Sequence, residues 1–275
     1  MNTTDALGAL DVDHVSASQI GQYRRCPRQW AYRHVLKLRM PPDAGVVTGL
    51  AFHEAAAYGM TGKMDTGEDP RVDTMTEAAA DFVGELVDGG EVVMRDTDSK
   101  DAMTDKAVRL IKAWTQEVAP DVEPTGVEQD FTTDVDGIKV VGRMDVVTER
   151  RVLDWKTSGR SPSRADVVKS LQTELYSLAT GLPLTFVYLV NLKGGVKITD
   201  VEIGEAETKH AIGIARRTVT EAAQGMALGV WPRNRAGWHC SKKWCGYHDR
   251  CMSGLDDATF DERAREARAV AMRDG

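Results

Sequence analysis

The chain has 275 residues, 42% hydrophobic and 28% charged, with a net charge of −7. This composition supplies a full apolar core for one large domain, or one with appendages, and excludes a low-complexity or disordered polymer. The acidic balance excludes a simple nucleic-acid-coating protein, which would be basic. The polar start, Asn2-Thr3-Thr4-Asp5, does not read as a signal peptide, and no apolar run approaches the ~20 residues that span a bilayer. No membrane association and a cytoplasmic location are therefore expected, where thiols stay reduced and grouped cysteines mark a metal more often than a disulfide.

The charge is unevenly spread. From Gln22 to Pro42 there are six basic residues and no acid, and from Arg233 to Arg250 five basic residues against Asp249 alone. Both stretches flank cysteines.

In chain order, Ser18 can cap a helix running through Ile20, Tyr23 and Trp30, with a break or kink at Pro27. A second helix is predicted over Gly49–Met60, and the Gly- and Asp-rich segment Thr61–Val72 reads as a loop. Helices follow over Thr74–Asp88 and Lys100–Val118, the latter carrying Val108, Ile111 and Trp114 on one face. After Pro124 the pattern changes. Val127–Thr133, Ile138–Val147 and Arg151–Lys156 read as three antiparallel strands, with Asp136-Gly137 as the first turn.

Ser161–Arg164 reads as a turn and Ala165–Thr180 as a helix stopped by Gly181 and Pro183. Leu184–Leu192 and Val196–Ile203 form a hairpin across Lys193-Gly194-Gly195, followed by a helix over Glu205–Leu228. Asp256–Arg273 reads as an exposed charged helix. The expected organisation is a single domain over 1–253, with a helical part at 15–120, an α/β core at 125–204 and a helix plus cysteine-rich region at 205–253. A tail follows at 254–275.

The candidate chemistry lies on the strands. Asp154 and Lys156, two apart on one strand, leave the same face. Asp145, near the end of the preceding strand, can stand beside Asp154 across a hairpin. Two carboxylates converging on one spot repel, and a divalent cation relieves that cost. A neighbouring ammonium can orient water or stabilise charge on a phosphate. Val152, Leu153 and Trp155 make this an apolar strand in which the two charges stand out. Gln172 and Tyr176 fall four apart on the next helix.

Gly142-x-x-Asp145, Asp154-x-Lys156 and Gln172-x-x-x-Tyr176, in that order, resemble the PD-(D/E)XK nucleases of the RecB-like branch. Upstream, Gly49-Leu50-Ala51-Phe52-His53 is similar to that family's Gly-x-x-x-His motif, and Ser16 to Cys26-Pro27 to its N-terminal motif. The resemblance implies an α/β restriction-endonuclease-like core, a mixed sheet flanked by helices. It also implies that His53, Asp145, Asp154 and the Trp155 carbonyl bind Mg²⁺ or Mn²⁺. Lys156 would then position or activate water, and Gln172 and Tyr176 would support the site or hold the DNA strand. Glu128, at the start of the first strand, is a further candidate.

Cys240-x4-Cys245-x5-Cys251, with Cys26 214 residues upstream of Cys240, uses every cysteine in the chain. The spacings depart from the short ligand pairs of structural zinc sites and suit a 4Fe–4S cubane, whose thiolates need only converge. A local zinc site of C-terminal cysteines with His239 or His248, and unligated thiols, are the alternatives. The C-terminal cysteine spacing resembles the iron–sulfur members of the family, among them AddB-type and CRISPR-adaptation exonucleases.

The function so implied is a metal-dependent DNA exonuclease acting on single strands or ends, in recombination, repair or CRISPR-like processing. DNA is the expected partner, and a helicase or recombination protein a further one. The Ala-, Asp-, Val- and Arg-rich composition suggests a high-GC genome, and a phage origin is compatible with it. The rivals are a non-catalytic DNA-end-binding or adaptor subunit and a zinc-stabilised interaction protein.

Overall fold

The structure is a computed structural model that describes residues 2–90 and 92–272. Eleven α-helices and five strands are formed among the described residues. Helix α1 (Thr3–Ala9), capped by the Asn2 side chain on the Asp5 amide, is an element the sequence reading did not include. Helices α2 (Ala17–Arg25) and α3 (Pro27–His34) meet at Cys26. Pro27 supplies no amide hydrogen, and Cys26 takes an extended backbone, so the expected break falls there.

Helix α4 (Ala44–Thr66) is longer than the sequence pattern predicted. Asp43 caps it by accepting from the Gly45 and Val46 amides, and Gly67 ends it in the left-handed region. The first half of the expected loop at Thr61–Val72 is therefore helix up to Thr66, because Gly62 is tolerated inside the helix and the true stop is Gly67. Helices α5 (Val72–Asp88) and α6 (Lys100–Glu117) fall close to where periodicity put them.

Strands β1 (Gly126–Val135), β2 (Ile138–Val147), β3 (Val152–Ser158), β4 (Leu184–Leu192) and β5 (Gly195–Ile203) form one sheet in that order. β2 and β3 pair antiparallel, β3 and β4 parallel, and β4 and β5 antiparallel, so the sheet is mixed. The β3–β4 crossover carries two helices, α7 (Arg164–Val168) and α8 (Leu171–Thr180), not one. The break lies at Ser170, whose hydroxyl accepts from the Thr173 amide and starts a new helix. Helix α9 (Glu205–Ala227) leads to a turn-rich segment, then α10 (His248–Ser253) and α11 (Asp257–Ala271).

The chain divides into two compact units. The first comprises residues 1–40, 131–142 and 212–275, and the second residues 41–130 and 143–211. The second unit's core joins Val47, Phe52 and Met60 of α4, Met75 and Val83 of α5, and Leu110, Ile111 and Trp114 of α6. Val146, Leu153, Trp155, Val187 and Leu189 complete it from the sheet. Trp114 meets Trp155 edge-to-face at 5.7 Å and Phe52 at 6.2 Å.

In the first unit Tyr32 stacks on Tyr247 at 5.1 Å and meets Phe260 edge-on at 5.0 Å. Trp30 lies 6.3 Å from Trp231. These aromatics bring α3 and the segment near residue 247 together. Helix α11 differs from the exposed tail expected: Phe260, Ala264, Ala267 and Ala271 are buried. Alanines at this spacing build an apolar stripe that charged neighbours conceal in a sequence. Arg273, at the predicted end of that helix, lies outside the described residues.

Candidate active site and cysteine cavity

β2 and β3 set the first elements of the site. The register pairs Val146 with Leu153, and the next position brings Asp145 alongside Asp154. Asp145 Oδ2 accepts from the Trp155 amide at 2.7 Å, which locks this carboxylate to the strand carrying Asp154 and Lys156. Leu153 and Trp155 turn into the core while Asp154 and Lys156 alternate to the other side. Asp154 is 2% exposed and contacts the Lys156 ammonium.

Helix α8 supplies the supports. Gln172 Nε2 donates to Asp154 Oδ1 at 3.1 Å and to the Tyr176 hydroxyl at 3.2 Å. The Tyr176 hydroxyl lies 2.6 Å from the Arg143 carbonyl and 3.0 Å from Asp154 Oδ1, two acceptors for its one proton. The i, i+4 pair seen in the sequence therefore grips the carboxylate from the helix side.

His53 comes from α4, with Nδ1 3.4 Å from Asp145 Oδ2. Its approach depends on Gly49, one helical turn earlier: a Cβ there would stand 3.2 Å from Thr157 Oγ1. Donor atoms of His53, Glu128 and Asp145 all lie within 4.8 Å of one another. Oxygen and imidazole donors at about 2.0–2.6 Å from a common cation span that distance, so the set suits Mg²⁺ or Mn²⁺.

Glu128 is one of these three donors, whereas Asp154, also expected to ligate, is not among them and is engaged by Lys156, Gln172 and Tyr176. Glu128 reaches it from a backbone at φ +46°, a left-handed conformation inside a strand. Such a conformation in a non-glycine residue costs on the order of 1–3 kcal/mol and is retained where its surroundings enforce it. Arg143, absent from the sequence-derived candidates, lines the same region: Nε donates to Asp130 at 2.7 Å and Nη1 lies 3.8 Å from Glu128. Its signal was the strand period, which sends Arg143 and Asp145 to one face.

Electrostatics match a site built for a cation. Burial, reinforced by the Asp154 charge, pushes the Asp145 carboxyl well above the ordinary carboxylate range. Burial also raises Glu128, against the pull of Arg143. Burial, with help from the Lys156 charge, lowers the His53 imidazole to about 4, so the ring is neutral and able to ligate near neutral pH. Crowded buried carboxylates beside a neutral imidazole are what a divalent cation stabilises.

The first unit holds the other predicted group. Cys26, Cys240, Cys245 and Cys251 line one cavity together with His239 and His248. Burial raises the Cys245 and Cys251 thiols. Among the described residues no three of these sulfurs fall within 4.8 Å of one another. Four thiolates on one zinc ion, at about 2.3 Å each, would stand roughly 3.8 Å apart. The Asn234 side chain donates to the Arg25 carbonyl at 2.8 Å, and the Tyr247 hydroxyl to the Leu38 carbonyl at 2.5 Å. These bonds tie the segment around Cys26 to the segment that carries the other three cysteines.

Comparison with known proteins supplies the family. "Gene 69 protein" of Mycobacterium phage D29 is 30% identical over 191 residues, covering 61% of this chain and 68% of that protein. A crystal structure of a candidate exonuclease from Eubacterium rectale superposes with a TM-score of 0.58 at 11% identity, covering 87% of this chain and 90% of the other. At that identity the likeness is one of fold. The sequence profile of the PD-(D/E)XK nuclease superfamily matches residues 14–252. With that match spanning most of the chain, and the mixed sheet and carboxylate–lysine site in place, the protein belongs to the PD-(D/E)XK nuclease superfamily.

Proposed function

We propose that this nuclease is a divalent-cation-dependent DNA exonuclease of the RecB-like kind, acting on single strands or on DNA ends. The observation that carries the reading is the meeting of Asp145, Asp154 and Lys156 with His53 and Glu128 at one partly open site. In this reading His53, Glu128 and Asp145 hold Mg²⁺ or Mn²⁺, with Asp154 and the Trp155 carbonyl beside it. The bound cation supplies charge stabilisation at the scissile phosphate and a more acidic water.

The chain's own groups do the rest. Lys156, held by Asp154, orients the attacking water and places positive charge near the phosphate oxygens. Gln172 and Tyr176 fix Asp154, so that Lys156 keeps one position. Water attacks phosphorus, the 3′-oxygen departs as a hydroxyl, and a 5′-phosphate remains. The role proposed is in recombination, repair or CRISPR-like processing, with a helicase or recombination partner, and the phage D29 relative supports a phage setting.

The second part of the reading is a structural 4Fe–4S cluster held by Cys26, Cys240, Cys245 and Cys251. Four cysteines lining one cavity, at sequence spacings unlike the short ligand pairs of structural zinc sites, support this reading. End-labelled single-stranded and duplex oligonucleotides with Mg²⁺ or Mn²⁺ test the activity. Cation-dependent release of nucleotides from an end, absent in Lys156→Ala, is the expected result. Binding without cleavage at any cation concentration would establish the adaptor reading instead.

A further inference from the structure

Two tryptophans of the first unit lie at the surface: Trp238 is 74% exposed and Trp244 48%. Their rings meet edge-to-face, 5.5 Å apart at 89°. Exposure of this much indole is uncommon, because each Trp buried would contribute more than any other side chain. The pair is not a random excursion of a loose loop. Successive turns hold it, with the Cys240 amide on the Gly237 carbonyl and the Trp244 and Cys245 amides both on the Ser241 carbonyl, at 2.9–3.0 Å.

Charge surrounds the pair. Lys243 Nζ lies 4.9 Å over the Trp244 ring, and Lys242 and Arg235 are exposed nearby in the chain. Asp249 is the one acidic residue of the stretch, and it pairs with Lys242 at 3.0 Å. In a chain of net charge −7 this is a locally basic stretch that carries an exposed aromatic pair, with Lys243 against it. Rings that offer a π-face beside lysines match unpaired nucleobases on a phosphate backbone, since every base can stack and every phosphate is negative. Within a duplex the base faces stack on one another and offer no such partner, leaving only the terminal pairs.

We infer that Trp238, braced by Trp244 and flanked by Lys243 and Arg235, is a stacking site for an unpaired base of single-stranded DNA. This deepens the nuclease reading and rests on it, because it assigns the strand state that the enzyme holds. Lys243 covers part of Trp244, so Trp238 is the ring that receives the base, and Trp244 is a positioning residue.

The test is fluorescence anisotropy of the full chain in EDTA, which prevents cleavage, with three labelled probes: oligo-dT, the same length carrying abasic sites, and a blunt duplex. Trp238→Ala is expected to weaken oligo-dT binding roughly 5- to 150-fold, the span of one base–aromatic stack. Abasic and duplex binding should stay unchanged, and Trp238→Phe should recover much of the loss. Lys243→Ala should weaken all three probes and lower the salt slope by roughly one phosphate contact.

Wild-type oligo-dT affinity in Trp238→Ala overturns the inference. So does an equal loss on all three probes in a variant that melts normally, which would mark a structural role. Unchanged DNA affinity with altered self-association on sedimentation also overturns it, in favour of a protein interface. Failure of the nuclease reading is distinct: the wild-type chain would then cleave nothing with Mn²⁺, whatever Trp238 does.

Discussion

In the second unit the polar centre sits on adjacent strands, and its buried groups are bonded to one another: Asp145 to the Trp155 amide, Asp154 to Gln172, Tyr176 and Lys156. In the first unit the cysteines come from the α2–α3 junction, a run of turns and a six-residue helix, and they face a cavity. One site takes its geometry from a sheet. The other depends on aromatic stacking and, in the proposed reading, on the group its thiolates bind. Substitutions in the two places should therefore fail in different ways: chemistry without unfolding in the second unit, unfolding with partial chemistry in the first.

The largest effect separates them at once. Asp154→Asn and Lys156→Ala are each expected to lower cleavage roughly 10³-fold while leaving Tm nearly unchanged, and the double variant should be no worse than either alone, because members of one catalytic unit fail together. Asp154→Asn suits the test better than alanine, since the amide keeps the volume and an acceptor for Gln172. Single-turnover kinetics on purified protein measures it, and near-normal rates in either variant would remove the residue from the chemistry.

His53 sharpens the comparison from within the strand-borne site. His53→Ala should weaken Mn²⁺ affinity by about 10–100-fold, in the range set by groups that tune a metal site, with activity partly restored at high Mn²⁺; cation titration of the rate reads this. The imidazole is held near 4 in the folded chain against 6.5 when free. Between those values the unfolded chain carries a proton that the folded one lacks, so stability rises with pH across that window and is lost as pH falls through it. In EDTA, His53→Gln should flatten this acid limb of the Tm–pH curve. Asp145 has the opposite sign: its raised carboxyl loses stability as pH rises through its folded value. Asp145→Asn should accordingly raise Tm above neutral pH and abolish the stabilisation that Mg²⁺ gives.

How much of this could be read beforehand follows from the same contrast. Asp154 and Lys156 were legible because the strand period fixes two side chains to one face without any tertiary information, and Gln172 with Tyr176 because a helix repeats every fourth residue. Glu128 was harder. Its entry into the three-donor group requires a left-handed residue within a strand, and no local propensity marks a glutamate for that. Helix α4 runs past Met60 although Gly62 and the Asp-rich run look like a turn, because Lys63 is buried there with its ammonium on the Ala119 and Pro120 carbonyls. The buried face of α11 was concealed because alanine carries little hydrophobic signal even where it packs completely.

The cysteine cavity supplies the third test. If the four thiolates share one cluster, Cys26→Ser and Cys245→Ser should lose colour, iron and sulfide alike, and melt lower by roughly 5–10 °C, since about 2–4 °C accompanies each kcal/mol in a chain this large. Cleavage with Mn²⁺ should fall only several-fold in protein that remains folded. A Cys26→Ser protein with full iron content would end the four-cysteine reading, and a metal analysis showing zinc alone would replace the cluster with the local site.

The smallest effect is the most diagnostic of how α4 delivers His53. Gly49 lies inside α4, where alanine is ordinarily preferred by about 0.5–1 kcal/mol because it restricts the unfolded chain. Its Cβ would nevertheless stand 3.2 Å from Thr157 Oγ1, closer than comfortable contact, so helix or strand must yield by a few tenths of an ångström. Thr157 directly follows Lys156, so the strain is applied next to the lysine proposed to orient the water. Gly49→Ala should therefore leave Tm unchanged or slightly raised while cleavage drops several-fold and the Mn²⁺ requirement increases. Removing the obstructing hydroxyl in the Gly49→Ala, Thr157→Ala double variant should restore most of the rate. Opposed movements of stability and activity, with rescue by the second substitution, are specific to a positional effect. A Gly49→Ala protein that is simply less stable, or one that Thr157→Ala fails to rescue, would show that the glycine serves the packing of α4 and not the placement of His53.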